Sequence, residues 1–406
     1  MTRTQSTILW IYAATAAIWP IRLVVVTIFE RLFDYLTPDS PRTRPDDAPL
    51  VTAIVPAKDE ESTLADCLRT VCAQSYPRLE ILVVDDRSTD ATPAIARSFA
   101  ESDPRVRVVT IRDLPDGWTG KTHALQVAAD GAVGAWLWFV DSDTRHEPDS
   151  LSIVLEYARS RGAAMASLLP EMRCETFWER VVQPLAGVVL MQSYPLFRVN
   201  DDRSGLAFAN GQYILIERSA YDAVGGHRSV RDRFVEDIYL ARHVKRSGRP
   251  IRVAIARGLG STRMYTSLPA LVRGWSRILY DSSGRSPRRL AWMAIDPLIF
   301  SQPAHVALVV ALVLLATGSG GPFALWLLGI SLAHHAFAAL TLHRLYRLSF
   351  PGGRGALWYP LAGLVLDRII LRSIRSCLTG EVTWRGTSYT KPAAVPEPAG
   401  PVSKAG

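Results

Sequence analysis

Residues 51–90 decide the fold and read VTAIVPAKDEESTLADCLRTVCAQSYPRLEILVVDDRSTD. They begin with a β-branched run, residues 51–55, which ends at Pro56 and predicts a buried strand. Residues 60–74 then place apolar side chains three and four positions apart, which predicts one apolar helix face: Leu64, Cys67, Leu68, Val71 and Cys72. A second apolar strand at residues 81–84 completes a strand–helix–strand unit.

The same alternation continues along the chain. Residues 94–99 and 124–129 fit further helices, and residues 106–111 and 136–140 fit a third and a fourth strand. Strands that alternate with helices predict an α/β fold, in which a mostly parallel sheet carries helices on both faces. We assign residues 50–285 to this domain. Ligands of such sheets bind at the carboxyl ends of the strands.

Acidic residues follow three of the predicted strands: Asp59 and Glu60 after Pro56, Asp85 and Asp86 after the second strand, and Asp141 and Asp143 after the fourth. Each cluster alone fits a polar turn with a helix cap. Together, at one edge of a sheet, they repel one another unless a cation or a donor-rich ligand neutralises them. Hard oxygen ligands without a nearby Cys/His set predict Mg²⁺ or Mn²⁺, which usually arrive with phosphate groups.

A basic group lies between these clusters. The segment Gly117-Trp118-Thr119-Gly120-Lys121 follows the third strand and leads into a predicted helix. Backbone N–H groups at a helix start, together with one lysine, suit a diphosphate. We therefore expect Lys121 to contact phosphate, with an ordinary surface lysine as the alternative. The segment is not a Walker A loop, because its spacing differs.

A fourth acidic pair, Glu236 and Asp237, precedes apolar residues at helical spacing. The pair therefore opens a predicted helix. The pair has either a chemical role in the site or only a structural one, because negative charge is favourable at a helix N-terminus.

Apolar segments flank this domain on both sides. Residues 7–29 are long enough to span a bilayer and predict an uncleaved anchor in residues 1–30, with a linker at 31–49. Residues 297–316 and 322–342 predict a helical hairpin within a C-terminal membrane region, 286–385. The stretch 356–371 fits either a further span or an interfacial helix. Residues 386–406 predict a disordered tail.

Arginines predict the orientation of these segments. Arg31, Arg42 and Arg44 follow the first segment, and Arg344, Arg347 and Arg354 follow the hairpin, whereas its inner loop carries no basic residue. The positive-inside rule then predicts a multi-pass protein of the cell (inner) membrane with its middle domain in the cytoplasm.

The composition limits the possible functions. The chain has 406 residues, of which 48% are hydrophobic and 21% charged, so it is not a disordered chain. Its net charge of +8 fits nucleic acid, an anionic membrane face or a phosphate-bearing substrate. Much of the basic excess lies beside the membrane segments and no nucleic-acid motif is present, so we expect no nucleic-acid partner.

The ordered motifs VPAKDEE, VVDDRSTD, GWTGK, DSDT and VEDIYLAR resemble those of family 2 glycosyltransferases of the GT-A fold over about residues 50–285. The strings GWTGKTHAL, NGQYILIERSAYDAVGGH and RMYTSLPALVRGWSR, with the later GEVTWRGTSY, look similar to the hopene-associated and carotenoid (diaponeurosporenoate) groups. The resemblance implies a nucleotide-diphospho-sugar donor, a divalent metal, a membrane setting and a lipid acceptor.

The resemblance also implies roles for single residues. The nucleoside would be held by Asp59 or Glu60 and by Asp86, with Pro56 and Asp85 as neighbours. Asp143 would ligate the metal, with Asp141 close to the sugar or ribose, and Asp237 would be the general base beside Glu236. Gly211, Trp275 and Arg277 would face the acceptor.

The Gln-x-x-Arg-Trp motif of processive synthases is replaced here by Arg273-Gly274-Trp275-Ser276-Arg277, which indicates a non-processive enzyme. For Trp275 and Arg277, the alternative to a role at the acceptor is a structural one, in a helix packed on the membrane surface.

These observations predict an inverting, non-processive transfer of a sugar to a lipid of isoprenoid, hopanoid or carotenoid type. One alternative is a polyprenyl-phosphate sugar transferase, whose phosphate nucleophile needs no strong base. Another is a membrane scaffold with a decayed transferase domain.

Overall fold

The computed structural model describes residues 1–348, 350, 353–384 and 387–390. Within these residues the strands are β1 (Tyr35–Leu36), β2 (Val51–Ala57), β3 (Leu79–Asp86), β4 (Val106–Ile111), β5 (Trp136–Phe139), β6 (Thr144–His146), β7 (Met165–Leu169), β8 (Glu171–Met172), β9 (Ile214–Glu217), β10 (Ile251–Ala256), β11 (Gly260–Thr262), β12 (Glu381–Trp384) and β13 (Thr387–Thr390).

The helices of the same residues are α1 (Arg3–Ala16), α2 (Ile18–Phe29), α3 (Leu64–Cys72), α4 (Thr92–Ser102), α5 (Gly120–Gly131), α6 (Ser150–Ser160), α7 (Phe177–Gln192), α8 (Leu196–Val199), α9 (Arg218–Ala223), α10 (Glu236–Arg246), α11 (Leu268–Ser282), α12 (Pro287–Phe300), α13 (Gln302–Ala316), α14 (Gly321–Tyr346) and α15 (Tyr359–Thr379).

Eight strands form the main sheet in the order β1-β10-β7-β9-β5-β2-β3-β4. The pairs are parallel, except that β9 runs antiparallel to its neighbours β5 and β7. The four strands predicted from the sequence are adjacent and parallel, which confirms the α/β fold. β2 is buried on both faces because helices cover both sides of the sheet, as its continuous apolar run indicates.

Successive residues of the central strands enter different cores. Ile54 and Leu82 pack with α5 on one face, whereas Val55 and Val83 pack with α3 on the other. Cys67 lies in the second core, as expected from the apolar face of its helix. The alternation follows from the two-residue period of a strand.

Two short strands lie in segments that were expected to be irregular. β1 falls in the predicted linker 31–49 and adds a parallel strand to the sheet edge beside β10. β13 falls in the predicted disordered tail and pairs with β12, in a Thr- and Tyr-rich stretch of high strand propensity. Strands of two to four residues are too short for periodicity to reveal. Residues 386 and 391–406 of that tail lie outside the described residues.

Three helical segments are long and apolar enough to cross a membrane: Arg3–Leu32, Pro287–Ala316 and Gly321–Tyr346. The first contains a break at Ala17, between α1 and α2. Pro20 explains this break, because its ring conflicts with the carbonyl group four residues earlier, that of Ala16. Most of the predicted stretch 356–371 lies in α15, which begins at Tyr359 after a short 3-10 helix (Arg354–Trp358) and packs against α7, α11 and α12.

The second of these segments also contains a break, at Ser301 between α12 and α13, where Pro303 lies in the first turn of α13. The carbonyl oxygen of Phe300 accepts hydrogen bonds from the indole N–H of Trp19 and from Nε2 of His334, the latter at 2.8 Å. His334 therefore provides a hydrogen-bond partner for a carbonyl group that the helix break leaves without its usual helical partner. Backbone polar groups in apolar surroundings require such partners. His335 contacts the hydroxyl of Tyr359 at 2.7 Å and joins α14 to α15.

Candidate active site

The carboxyl ends of β2, β3 and β5 meet at one edge of the sheet, because these strands are parallel neighbours. They open into a cavity of about 510 Å³, here called the polar cavity. Its wall includes most of the residues expected to bind the donor and metal: Pro56, Glu60, Asp86, Lys121, Asp141 and Asp143. The basic side chains of Lys58, Arg87, Arg273 and Arg277 also line it. Such a mixture of signs suits an anionic ligand together with a cation.

Asp59 and Asp85 were expected to bind the donor but are not among the residues that line the polar cavity. Oδ1 of Asp59 accepts the backbone N–H of Thr89 at 2.8 Å, and Oδ1 of Asp85 accepts the N–H of Ser88 at 3.2 Å. Asp59 also has a positive φ of 52°, in the left-handed region. The structure thus gives these two carboxylates contacts that hold the loops behind the cavity.

Asp86 is 4% exposed and forms a two-point ion pair with Arg87, at 2.7 and 3.1 Å. Gly120 packs against the same carboxylate at the start of α5: a Cβ there would lie 2.4 Å from Oδ2 of Asp86. Thr119 caps this helix by accepting the N–H of Thr122. The GWTGK segment therefore starts a helix beside the acidic cluster, as expected.

Lys121 joins two parts of the site. Its ammonium group lies 2.7 Å from Oδ1 of Asp141 and 2.8 Å from Oε1 of Glu236. Burial alone lowers the pKa of Lys121, but the nearby carboxylates outweigh burial and hold its pKa above the usual range. The lysine is therefore charged at neutral pH and links the end of β5 to the start of α10.

Asp237 lies at the start of α10, next to that ion pair. Oδ2 accepts the backbone N–H of Gly211 at 2.7 Å, and Oδ1 accepts the N–H of Ile238 at 2.8 Å. Burial and the like charge of Glu236 raise the pKa of Asp237, and the positive charge of Lys121 opposes this. A half-buried carboxyl that lines a cavity and has a raised pKa has the properties of a general base.

A second cavity of about 530 Å³, the apolar cavity, reaches Asp237 from the membrane helices. Its wall includes apolar side chains of α2, α7, α14 and α15, among them Val26, Val189, Leu345 and Leu366. Glu236, Asp237 and Gly211 line its inner end. It meets the polar cavity at residues that line both: Lys121, Asp141, Gln212, Phe234 and Met264. A polar ligand and an apolar ligand would therefore meet beside Asp237.

Trp275 and Arg277 face different cavities. Trp275 lines the apolar cavity and is 4% exposed, whereas Arg277 lines the polar cavity. Two positions along a helix correspond to about 200° of rotation, which explains the separation. The structure therefore brings Trp275, but not Arg277, to the wall where an apolar acceptor would lie.

One residue that supports the site could not be inferred from the sequence. Asp281 of α11 is fully buried, and its Oδ2 accepts the backbone N–H groups of Phe234 and Val235 at 2.6 and 3.0 Å. Its Oδ1 accepts a hydrogen bond from Arg285 at 2.8 Å. These contacts fix the two residues that precede Glu236 and Asp237. No local pattern could reveal a contact across more than 40 residues.

A charged pair lies in the wall of the apolar cavity and was not expected from the sequence either. Arg22 of α2 forms a two-point ion pair with Asp296 of α12. Its guanidinium carbon also lies 5.1 Å from the ring centre of Trp19. This pairing within the protein satisfies the charge of Arg22 in apolar surroundings.

The carboxylates fit the expected metal. Asp141 and Asp143 line the polar cavity together and offer hard oxygen ligands. In the part of the chain that the structure describes, no group of three or more His, Cys, Asp or Glu side chains could hold a metal ion alone. Proteins often bind Mg²⁺ through one or two carboxylates, with phosphate and water oxygens completing the coordination.

Comparison with known proteins identifies the domain. Residues 52–225 match the family model described as Glycosyl transferase family 2. The 4,4'-diaponeurosporenoate glycosyltransferase of Staphylococcus aureus strain MRSA252 is 24% identical over 345 residues, which cover 84% of this chain and 88% of that protein. The protein of the same name in Staphylococcus haemolyticus strain JCSC1435 is 27% identical over 232 residues, which cover 56% of this chain and 60% of that protein.

A solved structure shares the fold. The mannosyltransferase PcManGT from Pyrobaculum calidifontis, in complex with GDP-Man and Mn²⁺, superposes with a TM-score of 0.52 at 18% identity, over 91% of this chain and 98% of that one. The GT-A fold and the resemblance to the carotenoid group are thus confirmed. The chain is a glycosyltransferase with a catalytic domain of family 2.

Proposed function

We propose that this enzyme transfers a sugar from a nucleotide-diphosphate donor to a hydroxyl group of a lipid acceptor, with inversion and without polymerisation. One observation carries the proposal: a polar and an apolar cavity meet at Lys121 and Asp141, and Asp237 lines the apolar side of that meeting point. An enzyme that joins a charged donor to an apolar acceptor needs such an arrangement.

The donor would lie in the polar cavity. Glu60 and Asp86 line the end formed by β2 and β3 and would hold the nucleoside, while Asp141 would lie near the sugar. Asp143 would hold a divalent metal ion, which when bound would supply positive charge to the leaving diphosphate. Lys121 lies where the two cavities meet and would contact that diphosphate, exchanging part of its present ion pairing for phosphate oxygens.

The transfer step would take place at Asp237. The acceptor O–H gives its proton to a carboxylate oxygen of Asp237 while the hydroxyl oxygen forms a bond to the anomeric carbon. The bond from that carbon to the diphosphate oxygen breaks on the opposite side, and its electron pair leaves with the diphosphate. Base catalysis of this kind contributes typically about 10²–10⁴-fold in rate. The Gly211 N–H would hold the carboxylate in position.

The acceptor would lie in the apolar cavity. A mostly apolar wall built from membrane helices, with Glu236 and Asp237 at its inner end, suits an elongated lipid whose polar group reaches that end. The names of the Staphylococcus relatives support an acceptor of carotenoid type. Three apolar helices and the arginines beside them support a multi-pass position in the cell membrane, with the domain facing the cytoplasmic nucleotide-sugar pool.

The lipids of the native cell test this proposal. We expect deletion of the gene to remove a specific glycolipid and to leave its unglycosylated lipid in place. The parent gene should restore the glycolipid, whereas a gene carrying Asp237→Asn should not. An unchanged glycolipid profile after deletion, or full restoration by the Asp237→Asn gene, would contradict the proposal.

A further inference from the structure

A third cavity, of about 690 Å³, lies where the edge of the catalytic domain meets the ends of two membrane helices, and it borders the apolar cavity at Leu348 and Phe350. Three arginines line it, and we call it the arginine pocket: Arg257, Arg344 and Arg347, together with His343, Glu30 and Glu171. Arg257 follows β10 in the catalytic domain, whereas Arg344 and Arg347 lie at the end of α14. Two parts of the protein therefore contribute positive charge to one space.

The two glutamates in this pocket are occupied by other contacts. Glu30 forms a two-point ion pair with Arg344, one contact of which measures 2.7 Å. Oε1 of Glu171 accepts the backbone N–H of Gly258 at 2.9 Å. Both carboxylates thus have partners, which limits their repulsion of an incoming anion.

Two arginines remain available for a ligand. Within the residues described, neither Arg257 nor Arg347 forms an ion pair with a carboxylate, and both are exposed. The guanidinium carbon of Arg257 lies 4.0 Å from the ring centre of Tyr35, which fixes its position without neutralising its charge. Guanidinium groups that line one cavity suit the oxygens of a phosphate.

The pocket also has an apolar side. Leu23 of α2 and Leu340 of α14 line it, about two helical turns before Glu30 and about one turn before Arg344. If α14 spans the bilayer, its C-terminal arginines lie at the depth of the lipid phosphates on the cytoplasmic side. A site with arginines at that depth and leucines below them matches a phospholipid, whose phosphate lies above its acyl chains.

We infer that the arginine pocket binds the head group of an anionic phospholipid. This site goes beyond the proposed transfer reaction and uses none of the residues assigned to it. A lipid held there contacts the domain through Arg257 and the membrane helices through Arg347. It therefore steadies the domain on the membrane surface, with the apolar cavity facing the bilayer.

The test counts lipids bound to the full-length protein. Native mass spectrometry from a neutral detergent compares phosphatidylglycerol with phosphatidylcholine of the same acyl chains. We expect at least tenfold tighter binding of phosphatidylglycerol. Each arginine near a lipid surface contributes about fivefold in affinity, so Arg257→Ala with Arg347→Ala should weaken binding about 30-fold.

Matched variants separate this site from general charge and from unfolding. Arg203→Ala with Arg228→Ala removes the same charge from exposed surface ion pairs and should leave binding unchanged. Arg257→Lys with Arg347→Lys keeps the charge and should retain most of the preference. Equal binding of the two lipids, or parent-like binding by the double alanine variant, would overturn the inference. Displacement of the lipid by inorganic phosphate at a similar concentration would also overturn it, because free phosphate would then be the ligand.

Discussion

Gly211 donates its backbone N–H to Oδ2 of Asp237 at 2.7 Å, and a side chain beside this bond would have to displace its neighbours. A Cβ at Gly211 would lie 3.1 Å from Nζ of Lys121 and 3.3 Å from Oδ2 of Asp237, closer than ordinary contact. The glycine thus lets the backbone reach the proposed base while the lysine remains in place.

Gly211→Ala should lower the transfer rate by about tenfold, because the new methyl group displaces the Asp237 carboxylate by a few tenths of an ångström. Donor affinity should change little. Gly205→Ala is the matched control, since no atom lies within 4 Å of a Cβ at that position. Steady-state kinetics with donor titration checks both variants. A parent-like rate in Gly211→Ala would mean that the position of this carboxylate does not limit transfer.

Lys121→Met should shift the dependence of transfer on pH. The pKa of Asp237 is already raised by burial and by Glu236, so the base is lost as the pH falls through that raised value. Lys121 opposes the shift, so its removal raises the pKa of Asp237 further. The acidic limb of the pH–rate profile should therefore move to higher pH, and donor affinity should fall if the lysine contacts the diphosphate. If the acidic limb does not move, the charge of Lys121 does not influence the pKa of the catalytic base.

Asp143→Asn should weaken metal-dependent donor binding, because the amide keeps the size of the side chain but loses a charged oxygen ligand. Calorimetric titration of the nucleotide-sugar with and without Mn²⁺ measures the effect. Donor binding in the absence of metal should stay close to that of the parent. A variant that still shows the parent's full Mn²⁺ dependence would exclude Asp143 as the ligand.

Asp281→Asn tests whether Asp281 positions the catalytic residues. The change weakens charge-assisted hydrogen bonds to Phe234, Val235 and Arg285, so we expect a stability loss of about 1.5–3 kcal/mol. The turnover rate should fall while the KM for the donor stays nearly constant. Asp222→Asn alters an exposed ion pair with Arg218 and serves as control. Lower stability with an unchanged turnover rate would leave Asp281 a purely structural role.

The sequence was sufficient to locate the strand ends, but it could not show in which direction each carboxylate points. Apolar runs located β2, β3 and β5, and parallel pairing then required their acidic ends to meet. Asp85 and Asp86 are consecutive strand residues and point to opposite sides. Without knowledge of which side carries the cavity, the sequence could not tell the cavity-lining Asp86 from the loop-holding Asp85.

Long-range partners were beyond any local pattern. The contacts of Lys121 with Glu236 and of Arg22 with Asp296 join residues more than 100 positions apart. Only the folded chain shows that Lys121 is shared between the two cavities, and that Trp275 and Arg277 face different ones.

The transfer rate of Asp237→Asn, measured together with donor affinity and melting temperature, tests the central claim most directly. The amide cannot accept the acceptor proton, so turnover should fall about 10²–10⁴-fold while donor and metal binding persist.

The melting temperature should change little at neutral pH, because the amide gives up one of the two backbone hydrogen bonds to Asp237 but also removes a charge that is costly in this setting. A carboxyl whose pKa is raised by folding stabilises the fold at acid pH, and this stabilisation is lost as the pH rises through the raised value. Replacing it by a neutral amide avoids that loss.

Asp66→Asn is the matched control, because Asp66 also lies in the first turn of a helix but away from both cavities. If the acidic start of α10 only complements the helix dipole, both variants will keep full activity and lose about 1 kcal/mol or less of stability. We predict instead a turnover loss of at least 100-fold confined to Asp237→Asn. Full activity in Asp237→Asn would exclude it as the base and favour a phosphate acceptor.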